Sequence, residues 1–268
     1  VTEEQSMEKM RAAWQAMLES AVSYQADQRS RSGLVGGDGA RMRRYAAADT
    51  LSRGYLTARG GFRIGVCGTA VLRGGVNTNL RDISAVVMGI SREQPGIADG
   101  LVPQLCPAGG CGSTLILAPP GLGKATPLRD LIRKLSDGTE ELPAHRVSVV
   151  DERGEIAAVQ NRAPQFDVGA NTDVMTGGQK AACCMMLLRA MRPDVLAFDE
   201  ISAPEDIEAI RIAAGCGVAL LATAHAQSVA ALRHRALYRA LLDEHIFRRA
   251  VCITRSGGER VYTVEDLT

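Results

Sequence analysis

The sequence predicts an α/β fold with a mainly parallel sheet that helices cover on both faces. Two observations carry this prediction. Short strand-like runs recur beyond residue 113 of the 268-residue chain, and helical stretches separate them. Most of these runs are continuously apolar, as parallel strands buried on both faces are, instead of alternating. The runs are TLILA, RVSVVD, DVLAFDE, VALLATAH and AVCITRS, and a last strand is RVYTVED.

The residues before this region predict a smaller N-terminal α/β module. Apolar residues at helical spacing mark one face of an amphipathic helix over residues 3–24. The segment YLTARGGFRIGVCGTAVLRGG alternates apolar and polar residues around Gly60 and Gly61, which predicts a hairpin. A further strand, ISAVVMGI, and a short helix near 97–105 complete the module.

A segment rich in glycine and proline, CPAGGCGS at residues 106–113, is the best candidate for a domain boundary. The pattern changes from hairpin-like strands to alternating strands and helices on its far side. We therefore assign residues 1–107 to the N-terminal module and residues 108–268 to the α/β core.

Composition argues against several classes of protein. Lys and Arg number 31 against 30 Asp and Glu, so the chain has no overall basic field and we expect no nucleic-acid partner. The seven cysteines lack paired zinc-ribbon spacing, and we expect reduced, mostly buried thiols in a cytoplasmic protein. No apolar run approaches the roughly 20 residues that cross a bilayer. Because the chain begins at Val1, we expect a fragment that lacks an N-terminal segment.

A phosphate-binding loop follows the first buried strand of the core. The pattern G-x-x-x-x-G-K-[ST] is met with two departures, Ala118 for the first glycine and Ala125 for the hydroxyl residue that ligates magnesium. Lys124 is expected to reach the β- and γ-phosphates, and Thr126 could touch the α-phosphate. The predicted nucleotide-binding residues are Pro119, Pro120, Gly121, Leu122, Gly123, Lys124, Ala125 and Thr126.

The run MRPDVLAFDE ends a buried strand with two acidic residues. Asp199 is suited to contact Mg²⁺, and Glu200 is suited to polarise an attacking water. Such a pair alone is weak evidence, because acidic residues also cap strands. Downstream of a phosphate-binding loop, the pair predicts a P-loop NTPase that uses ATP and Mg²⁺.

Several longer segments resemble the stage III sporulation protein AA family. They are VSVVDERGEIAA, FDVGANTDVMTGGQKAACCMMLLRAMRPDVLAFDEI and LLATAHA, with GYLTARGGFRIGVCGTAVL upstream. The resemblance extends from roughly residue 45 to the end of the chain. It implies a secretion-type P-loop ATPase with a RecA-like core. It also implies a role in the mother-cell cytoplasm, at the membrane, where such a protein energises the channel between mother cell and forespore.

The resemblance also implies roles for single residues. Glu152, with Asp151 and Glu155, corresponds to the acidic box that arranges metal and water in secretion ATPases. His225 resembles the histidine that senses the γ-phosphate. The alternative interpretations are a solvated turn for the carboxylates and a structural role for the histidine.

Arginines of the N-terminal region are candidates to reach a neighbouring subunit. Arg92 matches an arginine of the module junction, and Arg63 and Arg73 are further candidates. They would complete sites in a homo-oligomer, which we expect to be a hexameric ring bound to membrane-embedded sporulation channel proteins. Solvated surface arginines are the alternative.

Two other functions remain open at this point. One is a nucleotide-binding scaffold that does not hydrolyse ATP, which would explain why position 125 carries an alanine without the hydroxyl group that ligates magnesium. A nucleic-acid motor on the same core is disfavoured by the balanced charge.

Overall fold

The structure is a computed structural model that describes residues 54–58, 61–89, 92–107, 110–160 and 162–267. The helix predicted over residues 3–24 lies outside the described residues. The chain divides into two compact units. One ends at Ser91 and includes Gln160–Gln165, and the other is formed by Arg92–Val159 and Phe166–Thr268.

The first unit contains a three-stranded antiparallel sheet in the described residues. Its strands are β1 (Tyr55–Ala58), β2 (Phe62–Arg73) and β3 (Val76–Gly89). The predicted hairpin is confirmed, since β1 pairs antiparallel with β2. A second turn joins β2 to β3, and its residues Gly74 and Gly75 have φ of 58° and 80°, which favours glycine. Phe62 and Ile64 form the buried centre of this sheet.

The second unit is built on a seven-stranded sheet. Its strands are β4 (Thr114–Ala118), β5 (Val147–Asp151), β6 (Thr172–Thr176), β7 (Val195–Glu200), β8 (Ala219–His225), β9 (Arg249–Ser256) and β10 (Glu259–Asp266). They are arranged in the order β10-β9-β4-β8-β7-β5-β6. All neighbours pair in parallel except β9 and β10.

Helices cover this sheet on both faces. They are α1 (Val102–Leu105), α2 (Ala125–Asp137), α3 (Lys180–Ala190), α4 (Pro204–Gly215), α5 (Val229–Arg233) and α6 (Ala236–Asp243). Along β4, Leu115 and Leu117 pack in the core with α3 to α6. Ile116 and Ala118 pack in the opposite core, with α1 and α2. Because both faces of β4 are buried, Leu115 to Ala118 are all apolar, and the buried Thr114 hydroxyl donates to the carbonyl of Gly112.

The predicted strands of the core are confirmed, and one strand was not predicted. β6 lies at the edge of the sheet, and its residues are only partly buried or exposed, so it lacks the continuous apolar run. α1 packs in the core beside α2, with Leu101 and Leu105 buried. The compact units therefore separate earlier in the chain than the boundary between residues 107 and 108. That boundary stays a prediction for the functional domains.

All seven cysteines lie among the described residues and are free thiols. Cys106, Cys183, Cys184 and Cys252 are buried, and the other three are at least partly exposed. Within the described ranges, no helix combines the length and the apolar character needed to span a bilayer.

Candidate active site

The loop between β4 and α2 has the predicted strand–loop–helix arrangement. Gly121 and Gly123 have φ of 82° and 77°, and α2 begins at Ala125. At these φ values a side chain would strain the backbone, so glycine allows the loop to turn back towards α2. The N–H groups of the loop and of the first turn of α2 form a site suited to phosphate oxygens. Pro119, Pro120 and Leu122 complete the loop, and the N–H of Leu122 donates to the carbonyl of Pro119 at 3.4 Å.

Lys124 contacts the end of the neighbouring strand β8. Its Nζ lies 2.6 Å from His225 Nδ1. His225 Nε2 in turn lies 3.3 Å from Glu200 Oε2 at the end of β7. Burial lowers the pKa of Lys124, and the carboxylates of Glu200 and Glu155 partly oppose this effect. The structure thus brings three predicted site residues together in one chain of contacts.

Asp199 and Glu200 differ in what their carboxylates contact. Asp199 is 4% exposed, and its Oδ1 accepts the N–H of Glu200 at 2.7 Å. The other oxygen, Asp199 Oδ2, is buried and has no hydrogen-bond partner among the described residues. Glu200 is less buried, and its Oε2 lies 3.3 Å from Arg153 Nη1 as well as beside His225. Asp199 therefore has one oxygen available, and the carboxylate of Glu200 is oriented by two cationic or polar neighbours.

The orphaned oxygen of Asp199 fits a magnesium site. Mg²⁺ prefers oxygen ligands, and it is usually held by one or two carboxylates together with phosphates and water. In the part of the chain that the structure describes, no group of three His, Cys, Asp or Glu side chains could hold a metal by itself. One orphaned carboxylate oxygen and a loop suited to phosphate fit a metal that shares its ligands with a nucleotide. Ala125 stands at the first position of α2 and offers no oxygen.

Asp151 and Glu152, two of the three residues of the predicted acidic box, lie in different surroundings. Asp151 is 1% exposed, and its two oxygens accept four backbone N–H groups from residues 155–158 at 2.8–3.1 Å. Burial raises the pKa of Asp151, and these hydrogen bonds oppose the effect. Asp151 therefore organises the loop after β5. Glu152 faces the site, where its Oε2 lies 3.4 Å from Lys180 Nζ.

The candidate arginines Arg63, Arg73 and Arg92 all precede the phosphate loop in the sequence. Arg92 is exposed, and its carbonyl accepts Arg129 Nη1 at 3.5 Å. In the first unit, the guanidinium of Arg63 stacks on the ring of Tyr55 at 4.3 Å. Arg73 is the last residue of β2 and is exposed. A role of any of them at a neighbouring subunit stays a prediction.

Two basic residues of the site were missed by sequence analysis. Lys180 is the first residue of α3 and is buried against the carboxylate of Asp199. Arg260 reaches from β10 to the phosphate loop, and a Cβ on Gly123 would lie 2.9 Å from its Nη2. A signal for Lys180 exists in the sequence, because a cation is unfavourable at the positive end of a helix unless carboxylates compensate it. Arg260 lies on an edge strand and has no such signal.

Comparison with known proteins identifies the family. A sequence model described as Sporulation stage III, protein AA, matches residues 39–265. The chain belongs to this family. It is 37% identical over 214 residues to stage III sporulation protein AA of Bacillus subtilis strain 168, which covers 80% of this chain and 69% of the relative.

The fold of this family member resembles that of known ATPases. The Legionella pneumophila ATPase DotB matches with a TM-score of 0.50 and 18% identity, over 76% of this chain and 57% of that chain. The pilus retraction motor PilT, solved with bound ADP, matches with a TM-score of 0.52 and 17% identity, over 78% of this chain and 61% of that chain. The predicted RecA-like α/β fold is confirmed. The chain spans less than two thirds of either neighbour.

Proposed function

We propose that this chain binds and hydrolyses ATP with Mg²⁺, and that hydrolysis drives a secretion motor during endospore formation. The observation that supports this proposal most directly is the contact chain from Lys124 through His225 to Glu200, beside the orphaned oxygen of Asp199. In the proposed roles, Lys124 binds phosphate, Asp199 is a metal ligand and Glu200 is the base for water.

In the proposed reaction, the loop from Gly121 to Lys124 and the N-terminus of α2 bind the phosphates. Lys124 leaves His225 and contacts the β- and γ-phosphates. Asp199 would hold Mg²⁺, which would neutralise charge on the transferred phosphoryl group. Glu200 accepts a proton from the water whose oxygen attacks the γ-phosphorus, while the bond from that phosphorus to the β–γ bridging oxygen breaks and ADP leaves. Arg153 and His225 keep the carboxylate of Glu200 oriented.

Membership of the sporulation family supports the cellular part of the proposal. We propose a homo-oligomeric ring in which an arginine of one subunit completes the nucleotide site of the next subunit. Light scattering with and without ATP tests whether the ring forms. The ring would act in the mother-cell cytoplasm, at the inner face of the membrane, together with channel proteins. The scaffold alternative is less well supported, because Glu200 is present and oriented. The net charge of +1 does not support a nucleic-acid motor.

Replacing Lys124 with alanine tests the nucleotide site. We expect ATP to bind more weakly by about 1.5 to 3 kcal/mol, the usual contribution of a hydrogen bond to a charged group. Isothermal titration calorimetry measures this difference. The matched control is Lys134→Ala, which removes a lysine paired with Asp99 at the other end of α2 and should leave ATP affinity unchanged. Equal affinities of Lys124→Ala and wild type would contradict the proposed site.

Replacing Ala125 with threonine tests whether the altered loop limits turnover. The new hydroxyl at the start of α2 would supply the missing metal ligand, so we expect single-turnover hydrolysis to rise by about tenfold, the low end of what changes around a metal produce. Ala125→Val has the same shape without the oxygen and should give no increase. An equal rise in both variants, or a rise in neither, would show that the metal ligand is not what limits the rate.

A further inference from the structure

Lys180 is buried among three carboxylates. Lys180 is the first residue of α3, and it is 5% exposed. Nζ lies 3.3 Å from Asp199 Oδ1, 3.4 Å from Glu152 Oε2 and 3.5 Å from Asp206 Oδ2. It also contacts the carbonyl of Glu200 and lies 3.4 Å from the hydroxyl of Ser202. These oxygens surround the ammonium group.

The ammonium group offsets the negative charge around it. Three carboxylates lie within 3.5 Å of Nζ, and those of Asp199 and Asp206 are buried. Without this cation, the buried carboxylates of Asp199 and Asp206 and the partly exposed carboxylate of Glu152 would repel one another with no positive charge between them, which is unfavourable. A divalent cation would relieve that repulsion as well as an ammonium group does.

The ammonium also determines which carboxylate oxygens are available. It contacts Asp199 Oδ1 and Glu152 Oε2, whereas Asp199 Oδ2 has no hydrogen-bond partner in the part of the chain that the structure describes. One available oxygen can give a single contact to a metal or to its water, and it cannot chelate. Most of the coordination sphere must then come from elsewhere, and triphosphate oxygens and water are what magnesium usually takes.

We infer that Lys180 is a positioning residue. Its ammonium group takes the place between Asp199 and Glu152 that a metal ion would otherwise occupy, so that magnesium is held only together with the nucleotide. This inference rests on the proposed function, because it concerns the metal of the same site. Its consequence is an order of binding. The free protein takes up the metal poorly, and the metal arrives with the triphosphate.

The test is metal binding to the nucleotide-free protein, followed by the electron paramagnetic resonance of free Mn²⁺. Mn²⁺ prefers the same oxygen ligands as Mg²⁺. Wild type should bind it weakly. Lys180→Met should bind it at least about tenfold more tightly, because a charge a few ångströms from the metal is removed in a medium of low effective dielectric constant. Lys180→Arg restores the cation and should resemble wild type.

Three further variants keep the test decisive. Lys134→Met removes a lysine that pairs with Asp99 instead of with Asp199, Glu152 or Asp206, and it should not change Mn²⁺ affinity. If Lys180→Met does not fold, as judged by circular dichroism, Asp206→Asn and Asp206→Asn with Lys180→Met provide a pair with less unbalanced charge. The double variant should bind Mn²⁺ more tightly than Asp206→Asn alone.

Equal Mn²⁺ affinity within a folded pair that differs only at Lys180 would overturn the inference. Tight Mn²⁺ binding by nucleotide-free wild type would overturn it as well. Neither measurement contains a nucleotide, so the outcome is independent of whether the protein hydrolyses ATP. Failure of the proposed function would instead appear in the ATP calorimetry of Lys124→Ala.

Discussion

Replacing Glu200 with glutamine should lower ATP hydrolysis by roughly 100- to 10,000-fold, the range that a positioned general base contributes. Glutamine has nearly the same shape and can still accept from Arg153, but it cannot take a proton from water. ATP binding should persist, because Lys124 and the loop glycines are unchanged. Single-turnover rates at saturating ATP and magnesium, together with calorimetric ATP affinities, measure the two effects separately.

The matched control for this change is Glu140→Gln, which alters an exposed glutamate in the loop after α2. Its rate and its ATP affinity should equal those of wild type. If Glu200→Gln hydrolyses ATP within a few-fold of wild type, another group activates the water. If Glu200→Gln loses ATP binding as well, Glu200 holds the site together, and its assignment as the base is unsupported.

Replacing Asp151 with alanine should destabilise the protein by at least about 3 kcal/mol. Four backbone N–H groups between residues 155 and 158 donate to this carboxylate, and a buried donor left unsatisfied costs roughly 1–3 kcal/mol. Asp151→Asn keeps one acceptor oxygen and should lie between alanine and wild type. The free energy of unfolding from urea denaturation gives all three values.

Asp173→Ala is the control, because Asp173 is an exposed residue of the edge strand β6. A change at such a surface position usually stays within about 0.5 kcal/mol. Similar unfolding free energies for the two alanine variants would mean that water replaces the carboxylate in the loop after β5. Asp151 would then have no structural role of the kind its hydrogen bonds indicate.

The fold could be predicted from sequence wherever the burial of a strand required a recognisable pattern of apolar residues. β4 is buried on both faces, and four of its five residues are apolar, as the predicted strand requires. β6 was missed because an edge strand is buried on neither face completely, so its composition carries no such signal. The hairpin of β1 and β2 was predicted from local alternation and turn glycines, which need no distant contact.

The candidate site was also predicted only in part, because local motifs can be read from the sequence and contacts between distant residues cannot. The phosphate loop and the Asp199–Glu200 pair are short motifs whose chemistry is local. Asp151 and Glu152 have different hydrogen-bond partners, and Lys180 is buried. Neither feature can be read from a short motif, because both depend on contacts with other parts of the chain. Adjacent carboxylates look alike in a sequence, and only the backbone around them decides which one accepts internal N–H groups.

Four strands of the core end at residues of the site: Ala118 in β4, Asp151 in β5, Glu200 in β7 and His225 in β8. Inside these strands, side chains pack against one helical layer or the other. A large-to-small change there costs about 2–5 kcal/mol, a large share of the roughly 5–15 kcal/mol that keeps a protein folded. Selection can therefore alter the strand interiors only with compensating changes, and single substitutions that modify the chemistry are confined to the strand ends and the loops that follow them.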